Sequence, residues 1–548
     1  MGNTESKLDA VIAIEIGHVN SGFAYSLESR KDHIYTARNG CVLPMDRVPT
    51  ILLLDKDGKF DSFGTVARDR YISLSLQEEH KNYRYFNNLE VVPGEQLTQD
   101  VVKDSEGNSM NAEQIYANVI EYLYKPVIAN IRNSGVKSEK VRVVLTIPGG
   151  SGDCMWDIIH AAARSVGIEE ENISTISSVE ASTLYCSKQN LFLDTYLGTS
   201  KIKTKFILMN LGGGRTEILV KRFDRKTRKE FQEAIPISCG GESVTELFLT
   251  VLGSMKDKKE WSNFQNTCIY DYECIKLNFE KLKHKFDGTG KFILELPESF
   301  CKLPDSNKGE QSNILEEIVY AADNKIMLTQ EAMEKLFDPT VEQIVNELKS
   351  VKMSDGQRGE EVAILLAGGF SESPYVRKTI SREMNPNKVL LVPNASLDVL
   401  KGAVMTGYGK LRRSQYSYGL LSPVASNQCE LPQNMMTEKG KQTSQVFDTI
   451  IEKREEMEYG RVYRRTLTLR TNGTKPIEVT LYRTKKATTE IDSKKRTCYD
   501  RVGTVQIQAP LSGWTEKVID CKLEIIVTEK GFQLVLTEQN FFREFLSY

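Results

Sequence analysis

Cysteine pairs are missing from this sequence. Ten cysteines lie scattered singly through 548 residues, no Cys-x-x-Cys occurs, and the nearest two, Cys268 and Cys274, match no zinc spacing. Histidine is scarce too, limited to His18, His33, His80, His160 and His284. These shortages argue against a structural zinc site and against a disulfide framework. Reduced thiols packed as small hydrophobes are expected instead, so the sequon at Asn472-Gly473-Thr474 carries no weight. No apolar run approaches the roughly 18 residues that cross a bilayer. The N-terminal MGNTESKLDA has no signal-peptide core. A soluble, cytoplasmic protein is therefore expected. An excess of one charge is also lacking: 72 basic residues against 74 acidic ones leave −2, so no nucleic-acid or other polyanionic partner is expected.

What is present is ordinary globular composition, with 40% hydrophobic and 27% charged residues. At about 150 residues per domain, the length allows roughly three to four domains. Val11–Leu27 reads apolar run, glycine turn, apolar run, as a β-hairpin does. Val141–Ser165 and Glu361–Ile380 each read strand, glycine turn, helix, and Lys205–Phe223 reads strand, Gly-Gly-Gly, strand. Alternating strands and helices of this kind predict an α/β architecture with buried strands. The two strand–glycine–strand units, near positions 17 and 213, fit a duplicated α/β fold of two similar lobes facing a cleft. Two unrelated hairpins would read the same way. After about Arg413 the pattern changes to Thr, Val, Ile and Tyr alternation with turns at Asn472-Gly473 and Lys530-Gly531, which predicts a β-sandwich-like domain over 414–548. Lys485–Arg496 reads as a polar loop.

Glycine turns let backbone N–H groups approach a phosphate without obstruction by a β-carbon. Gly17, Gly212-Gly213-Gly214, Gly240-Gly241 and Gly368-Gly369 are four such turns, and together they point to a phosphate-binding cleft. A single one is equally a structural hairpin.

Seven blocks, in order, make the chain resemble the heat-shock 70 family, and within it the divergent 12A/12B-like subfamily. They are IEIGHVNSGFAYSL, FDSFGTVARDRY, VRVVLTIP, LGGGRTE, LLAGGFSESP, VLKGAVMTGYG and RRSQYSYGL, and the resemblance covers almost the whole chain, from Val11 to the terminal Leu546-Ser547-Tyr548. The resemblance implies an actin-like, two-lobed ATPase fold over 10–413 after a tail of 1–9. It implies ATP or ADP with Mg²⁺ between the lobes. The first phosphate loop would be Gly17, His18, Val19 and Asn20, and the second Asn210, Gly212, Gly213, Gly214 and Arg215, with Gly240 and Gly241 beside it. Adenosine would lie near Gly368, Gly369 and Phe370 and against Glu280, Lys283 and His284, which share a helical face at i, i+3 and i+4. A solvated charged face would show the same spacing.

The departures concern the chemistry. The family's first loop has an Asp and two Thr; this chain has Glu15, His18 and Val19. Glu15 reaches about 1.5 Å further than Asp, a displacement on the scale that costs around a hundredfold in rate. Asn210 stands where a metal-side Asp is expected and can hold the metal only through water. Arg215 replaces a Thr, Glu217 replaces an Asp, and the Glu-Pro pair of the family becomes Ser178-Val179 followed by Glu180. The catalytic lysine is expected near Tyr85–Glu90, which reads YFNNLE. Magnesium binding is therefore expected to be weakened and hydrolysis slow or absent. Glu15, Glu180 and Glu217 remain the only candidates for a catalytic carboxylate.

The family's leucine-rich linker has no counterpart in RRSQYSYGLLSPVASNQ, and no helical lid or acidic terminal motif follows Phe541-Phe542. Unidentified protein or peptide partners could bind sandwich edges, and the sandwich could equally serve only to stabilise the lobes. A small-molecule kinase on the same fold and a nucleotide-free interaction protein are the rival readings. Gly2, in Met1-Gly2-Asn3-Thr4-Glu5-Ser6, fits an N-myristoylation site, and membrane contact is expected only if it is acylated.

Overall fold

The computed structural model describes residues 8–40, 42–92, 100–137, 140–148, 153–188, 205–224, 229–306, 318–321, 324–353, 362–408, 411–414, 416–423, 445–452, 455–458, 462–470, 476–484, 499–507, 518–528, 531–538 and 545–547. Gly2, the Asn472-Gly473 turn, Lys530 of the Lys530-Gly531 turn and the Lys485–Arg496 loop lie outside them.

The chain folds into a mixed α/β structure. Its first compact unit ends at Tyr408 and a second runs from Gly409. In the first unit, strands β1 (Ala10–Ile16) and β2 (Asn20–Leu27) form the hairpin read from the sequence, with Ile14 opposite Phe23. Short strands β3 (Tyr35–Thr36) and β4 (Val48–Pro49) pair with β2. Helix α1 (Ala112–Asn133) starts where the Asn111 side chain accepts from the Gln114 N–H. It leads to β5 (Val141–Ile147), which runs parallel to β1, and then to β6 (Ile173–Ser177), parallel to β5. Helix α2 (Ser178–Lys188) follows without a break.

A second sheet repeats the plan. Strands β7 (Lys205–Leu211), β8 (Thr216–Asp224) and β9 (Lys229–Ile237) form an antiparallel meander. Helices α3 (Gly241–Ser254) and α4 (Ile269–Lys285) intervene before β10 (Ala363–Ala367), parallel to β7, and β11 (Val389–Leu391), parallel to β10. Numbered from its own first strand, each sheet runs 3-2-1-4-5, and among the described residues β4 is added to the first. Strands at the centre of both are apolar on the two faces because helices cover them, as Ile12, Ala13, Ile207 and Leu208 at zero exposure show. Between α3 and α4 the rings of Phe248 and Phe279 stack with centroids 3.9 Å apart.

Helix α5 (Asp398–Gly407) closes the unit by crossing α2. A β-carbon on Gly402 would collide with the Ala181 carbonyl, so the two helices meet backbone to backbone.

The second unit holds two four-stranded antiparallel sheets, beside a short antiparallel pairing of Leu411–Arg413 with Glu456–Glu458. One contains β12 (Ser417–Pro423), β13 (Gln445–Ile451), β15 (Ile477–Thr484) and β16 (Asp500–Ile507); the other contains β14 (Val462–Arg470), β17 (Val518–Thr528), β18 (Gly531–Glu538) and β19 (Phe545–Ser547). Leu420, Ile451 and Leu481 from the first and Ile519, Leu523 and Leu534 from the second join one apolar cluster. Among the described residues no helix is long and apolar enough to cross a membrane.

Candidate functional site

The turn between β1 and β2 carries Gly17, His18, Val19 and Asn20. It is pinned by Thr50, whose hydroxyl donates to the Gly17 carbonyl at 2.7 Å and whose N–H donates to the Val19 carbonyl at 2.8 Å. The turn between β7 and β8 is closed by the Gly212 N–H donating to the Arg215 carbonyl at 3.0 Å. The structure brings these two turns into contact. A β-carbon on Gly213 would strike the Val19 side chain, and one on Gly214 would strike the His18 ring. Glycine is required here by the approach of the other turn, while the rest of His18 stays exposed.

The N-terminus of α3 joins them. Gly241 and Glu242 donate their N–H groups to the Gly212 and Gly213 carbonyls at 3.1 and 2.8 Å, and Gly240 lies against both carbonyls. Two amides that could face an anion are thus committed to the turn itself. The Gly368-Gly369 turn begins with Gly368 in the left-handed region at φ 78°, directly over the Asn210 side-chain oxygen. Phe370 is buried, its ring within 3.1 Å of where a β-carbon on Gly241 would stand, and it stacks on Phe337.

On α4, Lys283 is only 6% exposed and donates to the Gly241 carbonyl at 2.8 Å, the Thr245 hydroxyl at 2.9 Å and the Glu280 carboxylate at 2.5 Å. Burial pulls its pKa below the ordinary lysine value, although Glu280 works the other way. These contacts tie α4 to α3. His284 is exposed, 3.9 Å from Glu280.

The carboxylate candidates divide. Glu15 pairs with Arg47 at 2.6 Å, and Arg47 also donates twice to the Ser396 carbonyl, at 2.8 and 3.0 Å. Glu180 caps α2: it accepts from the Ser177 hydroxyl at 2.6 Å and N–H at 3.3 Å, while the Ser177 oxygen accepts from the Glu180 N–H at 3.3 Å. That is a capping box, and its signature, Ser177-Ser178-Val179-Glu180, is legible in the sequence. Glu217 is buried on β8, opposite Asn210 and Pro236. Arg215 is exposed at its turn.

Three features had no sequence signal. Glu242 pairs with Lys276 of α4 at 3.2 Å. Asn88, within the Tyr85–Glu90 stretch, has left-handed backbone at φ 63°. Asp398, fully buried at the start of α5, hydrogen-bonds the Ser182 hydroxyl of α2.

The donor set does not fit Mg²⁺. Glu15 is neutralised by Arg47, Asn210 has no charge, and among the described residues no three His, Cys, Asp or Glu side chains are grouped to hold a metal. Nor does a triphosphate fit between the two turns as they stand, because His18 and Val19 already touch Gly214 and Gly213.

No protein-family model matches the sequence. The chain is 22% identical over 492 residues to human heat shock 70 kDa protein 12B, covering 76% of this chain and 71% of the relative. It is 22% identical over 539 residues to heat shock 70 kDa protein 12A of human and of mouse, covering 84% of this chain and 79% of each relative. The protein is therefore similar along most of its length to the heat-shock 70 family, and within it to the 12A/12B-like subfamily.

Proposed function

We propose that this is a heat-shock-70-like protein that binds protein or peptide partners and holds adenine nucleotide, ATP or ADP, without hydrolysing it. The Glu15–Arg47 ion pair carries the reading. Phosphoryl transfer to water needs a placed metal and neutralised phosphate charge, and the one carboxylate left on the metal side is already bound to a guanidinium. Asn210 cannot compensate, and the Tyr85–Glu90 stretch offers no lysine. The repeated 3-2-1-4-5 sheet order supports the two-lobed, actin-like part of the reading. The common apolar cluster of the last two sheets supports a β-sandwich as the partner-binding unit. Nucleotide enters only once His18 and Val19 leave the opposite turn. The protein is placed in the cytoplasm, with membrane contact resting on acylation of Gly2.

A nucleotide-free interaction protein is the second reading, favoured by the contact of His18 with Gly214 and Val19 with Gly213. Thermal shift with ATP and ADP, each with and without magnesium, together with a single-turnover assay, tests both. The expected result is a midpoint that rises with nucleotide, owes little to magnesium, and comes with no phosphate release above buffer; saturation at a hundred times Kd stabilises by about 2.7 kcal/mol. Hydrolysis at a rate normal for the heat-shock 70 family would sink the first reading. A midpoint that ignores saturating nucleotide would favour the second.

A further inference from the structure

The first glycine turn has a cation built in beside it. Glu15 stands two residues before Gly17, and its Oε1 is 3.9 Å from where a β-carbon on Gly17 would lie. Its Oε2 accepts from Arg47 Nη2 at 2.6 Å. Arg47 reaches it across β2, where Gly22 is the register partner of Glu15. A β-carbon on Gly22 would stand 2.6 Å from the Asp46 carbonyl oxygen and 3.3 Å from Arg47 Cδ, so a side chain there would take the path of the arginine stem. On its other flank Arg47 donates from Nε at 3.0 Å and from Nη2 at 2.8 Å to the Ser396 carbonyl, between β11 and α5. The Ser396 N–H donates to Glu372 at 3.2 Å, at the end of the short helix that begins with Gly369. Arg47 is thereby held between the turn that the resemblance gives to phosphate and the segment that it gives to adenosine.

A guanidinium carries five N–H donors, two of them on each terminal nitrogen. Nε and Nη2 commit three of these to Glu15 and Ser396. Both donors on Nη1 are left, and among the described residues none accepts from them. The side chain keeps 20% of its surface exposed, and Nη1 is not sealed from solvent. The group is planar, permanently charged and suited to phosphate oxygens. Because Glu15 and Ser396 already fix it, little rotamer freedom is lost when a ligand arrives. Glu15 also offsets its charge, so Arg47 works here through directed N–H groups more than through net charge.

We propose that Arg47 is a phosphate-binding residue of this cleft: its guanidinium takes the place beside Glu15 that the resemblance gives to magnesium, and Nη1 receives a diphosphate or triphosphate that carries no metal. The assignment rests on the reading of the cleft as a nucleotide site, and it names the group that holds the phosphates once His18 and Val19 have moved aside.

The test is calorimetric titration of the full chain and of Arg47→Gln with ATP, inorganic pyrophosphate and adenosine, each in EDTA and in magnesium. The natural protein is expected to bind ATP and pyrophosphate in EDTA and to gain nothing from magnesium. R47Q is expected to bind both at least about tenfold more weakly, the scale of a lost charge-assisted hydrogen bond, and to bind adenosine as before. Equal affinity of folded R47Q for ATP and pyrophosphate in EDTA overturns the assignment and leaves the nucleotide reading intact. An equal loss for adenosine also overturns it, since the effect is then not on phosphate. So does a natural protein that binds these probes only with magnesium. No heat from the natural protein with any probe brings down the nucleotide reading itself, and the assignment with it. If R47Q does not fold, Arg47→Lys keeps the charge and the stem but loses the planar fork; weaker ATP and pyrophosphate binding is expected, and unchanged binding overturns the assignment.

Discussion

Asp398 should make this protein less stable as pH rises from about 4 towards neutrality, and a single amide substitution should abolish that group's share of the dependence. The carboxyl group has zero exposure. One oxygen accepts from the Ser182 hydroxyl, and the other, Oδ1, is buried with no hydrogen-bond partner. Burial pushes its pKa up to about 7, and Glu15 on β1 adds to the rise, while the Ser182 hydroxyl, the Val399 N–H and Arg47 oppose it. Lys401 on α5 and Tyr185 and Cys186 on α2 also face it. In the unfolded chain the same group titrates near about 3.9, so the difference is roughly 3 units, or about 4 kcal/mol as an upper figure. The folded state binds this proton more tightly than the unfolded state does. Below about pH 4 both states carry it, and its full contribution is present. Between about pH 4 and 7 the unfolded chain releases it first and stability declines; above about 7 both are ionised and the loss is complete.

Asp398→Asn stays neutral at every pH and can still accept from Ser182. Urea unfolding of the natural protein and the variant, run in parallel from about pH 5 to 8, isolates the group because all other titrations are shared. Tryptophan fluorescence suits the measurement, since Trp156 and Trp261 both lie in the unit that contains Asp398. The variant's advantage is expected to grow with pH and level off beyond about 7. An advantage that stays constant across the range would refute the reasoning.

Gly402→Ala is expected to lower stability by about 1–3 kcal/mol, because the added methyl meets the Ala181 carbonyl and α2 and α5 must part; an unchanged urea midpoint would show that the crossing has room. Glu180→Ala is expected to cost about 1 kcal/mol as a lost helix cap while leaving nucleotide affinity alone. A loss of phosphoryl transfer without a loss of stability would instead restore Glu180 as a catalytic base.

Much of the scaffold was legible in the sequence because buried parallel strands are written as unbroken apolar runs. Val11–Ile14, Val143–Leu145 and Ile364–Leu366 can pack only inside a covered sheet. The turns were equally visible through their glycines. What the site does with them was not. Arg47 meets Glu15 from 32 positions away, and Glu242 meets Lys276 from 34 positions away; neither distance has a period that pattern reading can detect. Glu180 is the opposite case: its capping box was local and readable, and the family resemblance drew attention to a different role. The i, i+3, i+4 spacing on α4 correctly placed Glu280 and Lys283 on one face, but only the fold shows that this face turns to α3.

The glycine turns therefore admit two physical explanations, and they predict different things. A phosphate cradle needs glycine so that amides can reach an anion, and it leaves those amides open. A contact between two turns needs glycine so that side chains from one can lie on the backbone of the other. In this chain Gly213 and Gly214 meet the second requirement through Val19 and His18, and the N–H groups of Gly241 and Glu242 are already bonded to turn carbonyls. The motif alone thus carries less weight for nucleotide than it does in a chain whose loops stay apart. Opening the contact decides between them. If His18→Ala with Val19→Ala gains nucleotide affinity, the turns are a cradle held shut by their own side chains; if affinity stays absent, the glycines serve the contact and nothing else.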